Sequence, residues 1–205
     1  MNPRGFTLIE IMMVTALMSI VMGALFSIAI AMGDTATVQN VKITGHDEAR
    51  RALVQLSPQL RNAAGSSINW NGLPGPEVRF RVAQDLNGNG SAVDADGRIE
   101  LSPERVVRRD SADLNGDALT QTQLVLVEGQ KVTVLANELA PGLETTGADA
   151  IFDPAEDTNG NGRLDRGFWV APEGENLRIT LQAQGKTRRG QTITTEFTQL
   201  VRPRN

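Results

Sequence analysis

Apolar residues fill the start of the chain without a break. From Phe6 to Met32 the sequence holds no Lys, Arg or Asp, and its one charge is Glu10. No Pro interrupts this run of about 27 residues, roughly 40 Å as a helix and enough to cross a bilayer core of ~30 Å. Beyond Gly33-Asp34 the pattern opens. Val38, Val41, Ala49, Ala52, Leu53, Leu56 and Leu60 recur at steps of mostly three and four. Asp47, Glu48, Arg50, Arg51, Gln55 and Arg61 fall mostly off that stripe. This spacing predicts that the helix continues, with one apolar face laid on a β-sheet. Gly45 and Pro58 weaken it, and Pro58 should kink the last turns. Asn62-Ala63-Ala64-Gly65 is the expected stop, with Gly65 as the C-terminal cap.

From Ser66 the period changes to two. Val78, Phe80 and Val82 alternate with Arg79 and Arg81. Leu124–Val127 and Val132–Leu135 flank Gly129 as short strands. Leu177, Ile179, Leu181 and Ala183 alternate with Arg178, Thr180 and Gln182. A connection at 185–190 leads to Ile193, Thr195 and Phe197, and that strand runs toward Val201. Residues 142–166 read as loop. The fold class expected is therefore α+β, a long N-terminal helix packed on an antiparallel sheet. The expected divisions are a leader at 1–5, a transmembrane helix at 6–33, an amphipathic helix at 34–65 and a β-rich domain at 66–205.

An ordinary secretory signal has an apolar core of about 7–15 residues and a small-residue cleavage site after it. Here the run is longer, and the small residue, Gly5, precedes it. Arg4 is the only base before the run and Lys42 the first after it, which predicts a cytoplasmic N-terminus. A plain membrane anchor explains length and orientation but not Glu10. A carboxylate near the bilayer centre costs up to ~2.5–3.5 kcal/mol on insertion scales, so it needs a partner. Cleavage after Gly5 would supply one, because Phe6 would then carry a free cationic amine. Glu10 follows four residues on, one helical turn away on the same face, and the helix N-terminus favours its charge. The amine paired could be its own or a neighbour's.

Gly5-Phe6-Thr7-Leu8-Ile9-Glu10 followed by an apolar run resembles the type IV prepilin processing motif of major pilins, minor pilins and pseudopilins. The resemblance implies cleavage after Gly5 by a prepilin peptidase and methylation of the Phe6 amine. It implies that Glu10 guides assembly by pairing with a neighbouring subunit's N-terminus. The partners it implies are other pilin or minor pilin subunits, and the location is the inner membrane with the C-terminal domain in the periplasm, then the pilus. Arg61-Asn62-Ala63-Ala64-Gly65, the terminal Leu200-Val201-Arg202-Pro203-Arg204-Asn205 and the loop-rich middle resemble PilW-type minor pilins and J-type minor pseudopilins. The helix-weakening proline of many major pilins is absent from the membrane segment. A type II secretion minor pseudopilin is the first alternative, and a membrane-tethered calcium-dependent adhesin the second.

Composition narrows the chemistry. The chain carries a net charge of −4 with scattered basic residues, which gives no nucleic-acid groove. It has no cysteine and one histidine, His46, read as a solvated helix residue. No phosphate-binding glycine loop precedes a helix, so no enzymatic constellation is expected. The remaining candidates are acidic-amide loops. Asp157, Asn159, Asn161 and Asp165 occupy positions 1, 3, 5 and 9 of an EF-hand-like loop with Gly162 at 6, a pattern of oxygen ligands that suits Ca²⁺. Position 12 is Phe168 rather than a carboxylate, and Asp153 or Glu156 could substitute. A second copy offers Asp85, Asn87, Asn89 and Asp96, with Val93 at position 9. A third starts at Asp113 and ends at Asp117. The alternative reading of all three is tight turns, which Asn-Gly favours.

Overall fold

The computed structural model describes residues 7–110, 112–119, 122–140 and 167–204. It is an α+β fold of one long helix and two antiparallel sheets. Helix α1, Leu8–Arg61, runs 54 residues without a break, about 80 Å at ~1.5 Å per residue. It takes in most of both helical segments read from the sequence and ends at Arg61 rather than at residue 65.

The two halves of α1 differ as the residue pattern demands. The apolar half buries nothing: its most hydrophobic window is wholly exposed among the described residues, unlike the core helix of a globular protein. The second half buries Gly45, Ala49, Ala52, Leu56, Ser57 and Leu60. These recur mostly at steps of three or four and form one face. Val38, Val41 and Leu53 of the expected stripe are half-buried beside it. Burying Leu56 or Leu60 completely contributes on the order of 1.5–3 kcal/mol each. The helix continues one turn past Pro58, whose missing N–H frees the carbonyl of exposed Val54 on the outer side.

The C-terminal cap is Asn62, not Gly65. Asn62 ends the helix with a right-handed backbone, φ −86° and ψ −6°, so no left-handed glycine is needed. Gly65 instead opens a short 3₁₀ turn. Its N–H donates to the Arg204 carbonyl at 2.7 Å, and the Arg204 N–H donates to Ala63 at 3.1 Å. The helix exit is thus tied to the end of the chain.

Strands β1 (Glu77–Phe80), β2 (Arg105–Arg109), β3 (Leu124–Glu128) and β4 (Lys131–Ala136) form one sheet in that order. Strands β5 (Phe168–Glu173), β6 (Asn176–Lys186) and β7 (Thr192–Val201) form the other. The pairings between these strands are antiparallel. Gly129, at φ +60°, makes the tight turn between β3 and β4. Two bridges join the sheets, Gly75 with Val170 and Leu139 with Ala183. One apolar cluster, including Leu56, Phe80, Val107, Leu124, Phe168 and Leu181, fills the space between them and α1.

Strands β2 and β5 go beyond the sequence reading. Three of the five β2 residues are Arg, and only Val107 is fully buried, so alternation is masked. β5 opens with Phe168, which is fully buried. The residue standing where a twelfth-position calcium ligand would be is a core aromatic at a strand start.

Candidate assembly site

The site is built at the first turn of α1. Thr7 is the N-cap, with extended backbone at φ −78° and ψ 152°. Its hydroxyl oxygen accepts from the Glu10 N–H at 3.3 Å, and its own O–H lies 3.1 Å from the Glu10 carboxylate. The carboxylate in turn accepts from the Thr7 backbone N–H at 2.9 Å. This is a capping box, Thr-x-x-Glu, in which two orphan N–H groups of the helix start are satisfied reciprocally. The helix therefore begins at Leu8, two residues after the segment start read from the sequence, and Glu10 holds the third helical position. The Thr-x-x-Glu spacing of Thr7 and Glu10 carries that signal in the sequence, and it gives Glu10 a local partner besides an amine. Gly5 and Phe6 lie outside the described residues.

A capping box changes the chemistry open to Glu10. Its negative charge sits against the positive end of the helix dipole and two Thr7 donors. That lowers the cost of keeping a carboxylate at the membrane end of an apolar helix. The contacts are local and exposed, so a stronger cationic donor can compete for the same oxygens.

The acidic-amide turns are held by their own backbones. Asp85 accepts from Gly88 at 2.7 Å, Asn89 at 3.2 Å and Gly90 at 2.8 Å. The Gly90 N–H is the main reason its carboxyl is held below the usual 3.8. Asn87 and Asn89 close the same turn by accepting from Asn89 and Ser91. The carboxylate brought to this turn is Glu100, through the Leu86 N–H at 2.7 Å and the Asn87 amide. Asp96 instead gives its N–H to Asp94. The turn beginning at Asp113 is likewise closed on itself: Asp113 accepts from Ala118 at 3.1 Å. Asp117 accepts from Leu119 at 2.8 Å and from buried Gln123 at 2.7 Å. Among the described residues no three His, Asp or Glu side chains are grouped as candidate metal ligands. Asp157, Asn159, Asn161 and Asp165 lie outside the described residues.

His46 is exposed, with its ring edge-on to Phe197 of β7 at 5.0 Å between centroids. It is a packing contact between α1 and β7, a role beyond the solvated residue read from the sequence.

A family described as the prokaryotic N-terminal methylation motif matches residues 1–26. No curated protein and no solved structure matches the chain. The matched segment contains the capping box and most of the exposed apolar half of α1. That motif, on an unburied helix long and apolar enough to cross a membrane, indicates a type IV pilin- or pseudopilin-like precursor.

Proposed function

We propose that the chain is a minor type IV pilin-like subunit of the PilW kind, which joins a pilus filament or its tip complex. A prepilin peptidase cuts it after Gly5 and methylates the Phe6 amine. It waits in the inner membrane with the β domain in the periplasm. The observation that carries this reading is Glu10: one carboxylate, at the first turn of the otherwise uncharged and wholly exposed apolar half of α1. A helix cap accounts for a Glu or Gln at this position but does not require the charge. In the unassembled subunit Thr7 holds the carboxylate. In the filament a neighbour's terminal amine replaces the neutral Thr7 donors with a charge-assisted bond, which is about twice as strong. The chain contributes binding surface rather than catalysis.

A minor pseudopilin of type II secretion would use the same motif, and co-purifying subunits separate the two. Intact mass and N-terminal sequencing of the mature protein test the processing step. The expected start is methylated Phe6; a native chain that begins at Met1 refutes the reading. Glu10→Ala separates a filament subunit from a tethered binder. It should abolish incorporation while leaving the protein in the membrane, and normal filament incorporation would count against the proposal.

A further inference from the structure

The helix itself offers no cation to the far side of the membrane. After Met32 comes Gly33-Asp34, and the next base, Lys42, is eight residues or about 12 Å further along. The tip of the β6–β7 hairpin supplies what is missing. A side chain on Gly45 would touch Ala183, and one on Gly185 would meet Val41. Arg189 forms an ion pair with Asp34. So as β6 climbs two residues, ~6.6 Å, α1 descends four, ~6 Å, and strand and helix run side by side in step. The turn then reaches the level of Asp34, two residues past the end of the apolar run. Lys186, Arg188 and Arg189 are exposed there. Asp34 neutralises Arg189, while Lys186 and Arg188 make no ion pair among the described residues.

We propose that this hairpin tip is a membrane-docking element that binds anionic phospholipid headgroups on the face where α1 leaves the bilayer. The inference rests on α1 being a membrane helix. Headgroup layers add about 5–8 Å beyond the hydrocarbon on each side, which spans the Asp34 level. Each Lys or Arg near an anionic surface strengthens binding about fivefold, and the attraction falls off within a Debye length of ~8–10 Å. The docked tip, clipped to α1 through Arg189, fixes the β domain's orientation over the membrane before the subunit leaves it.

The test uses the full chain, which has no cysteine of its own, in vesicles of neutral phosphatidylcholine with or without phosphatidylglycerol. A nitroxide is placed at the exposed tip by Gln191→Cys, and in a second sample within the apolar run by Ala24→Cys. Relaxation by nickel chelated on lipid headgroups reports proximity. The tip label should be relaxed in anionic vesicles, with the docking equilibrium weakened on the order of 25-fold in K186Q/R188Q and also by added salt. Equal relaxation in the two lipids, or no response to K186Q/R188Q, with the Ala24→Cys label still lipid-buried, overturns the proposal alone. Should the Ala24→Cys label prove water-accessible, the membrane reading of α1 falls, and this inference falls with it.

Discussion

Gly185→Ala is a small change whose sign depends on one close approach. Gly185 lies on β6 against α1. A methyl group built there would stand 2.5 Å from Cγ1 of Val41, with two further Val41 atoms at 3.6 and 3.8 Å. Ordinary carbon contacts sit at about 3.5–4.0 Å, so the overlap is roughly 1 Å or more. Val41 cannot swing aside, because a β-branched side chain in a helix holds one strongly preferred rotamer. The strand must retreat instead, which opens the seam at Gly45 and Ala183. Overpacking of this kind costs about 1–3 kcal/mol. Without the clash the substitution should stabilise by about 0.4–1 kcal/mol, because the backbone there suits an L-residue and alanine restricts the unfolded chain. The expected net is a loss of about 1–2 kcal/mol. Urea unfolding of the detergent-solubilised chain, followed through Trp70 and Trp169, should show a lower midpoint at unchanged slope. Val41→Ala in the same chain should recover much of the loss, a coupling of at least ~0.5 kcal/mol. A neutral or stabilising Gly185→Ala, or strict additivity with Val41→Ala, would refute the close packing of β6 on α1.

Other perturbations separate the parts of the molecule. Glu10→Gln keeps a side chain able to complete the capping box but removes the charge; filament incorporation should fail nearly as completely as in Glu10→Ala, and normal incorporation would reduce Glu10 to a cap. Leu56→Ala, at a fully buried position, should cost about 2–5 kcal/mol in the same urea assay. Leu25→Ala, in the exposed apolar half, should leave that transition unmoved. The Leu119 N–H, with help from Gln123 and Asn115, holds the Asp117 carboxyl below its usual 3.8. The Gly90 N–H does the same for Asp85. Carboxyls depressed in the folded state contribute stability fully present above the unfolded value, and it is lost as pH falls through the folded one. Melting temperature should therefore hold level down to about pH 4–5 and drop below it, and Asp117→Asn should flatten part of that drop.

What could be read from the residues alone follows from how local the causes are. The apolar run, the stripe from Val38 to Leu60 and the alternation in β6 are set by residue order, so helix and hairpin emerge directly. β2 does not, because Arg105, Arg108 and Arg109 hide its single fully buried valine, and its pairing with β1 and β3 is a long-range fact. β5 is concealed by Pro172 and by the Asp-, Asn- and Gly-rich sequence before it. The helix stops three residues before Gly65, where the residue pattern alone suggests a glycine cap, because hydrogen bonds to Arg204 shape that exit. At the candidate site the residue types are legible, but the capping partnership of Thr7 and Glu10 is masked by a more distant candidate partner.

An unbroken α1 has a mechanical consequence for assembly. A kink or flexible joint at Gly33 would uncouple the membrane half from the β domain. Instead the helix continues through it, and Arg189 fastens the hairpin tip to Asp34, the next residue. Two further contact levels, at Val41 and Gly45, hold β6 against the following turns. Movement of the first turn, where Thr7 and Glu10 cap each other, is therefore transmitted as rigid-body movement of the domain. A neighbour's amine that draws Glu10 into register would set the height and rotation of both sheets together. The same coupling explains why α1 gives up a side chain at Gly45 and β6 one at Gly185. Each lost side chain lets strand and helix approach more closely than an alanine would allow, and a tight seam is stiffer than one padded with flexible chains. Arg189→Ala should therefore weaken the link between helix and domain without unfolding either. Electron paramagnetic resonance distances between spin labels at the exposed Ala36→Cys and Gln191→Cys positions should broaden in that variant while the unfolding free energy from urea stays within about 0.5 kcal/mol, as expected for an exposed ion pair. Distances as narrow as in the parent chain would show that the Val41 and Gly45 contacts alone carry the coupling.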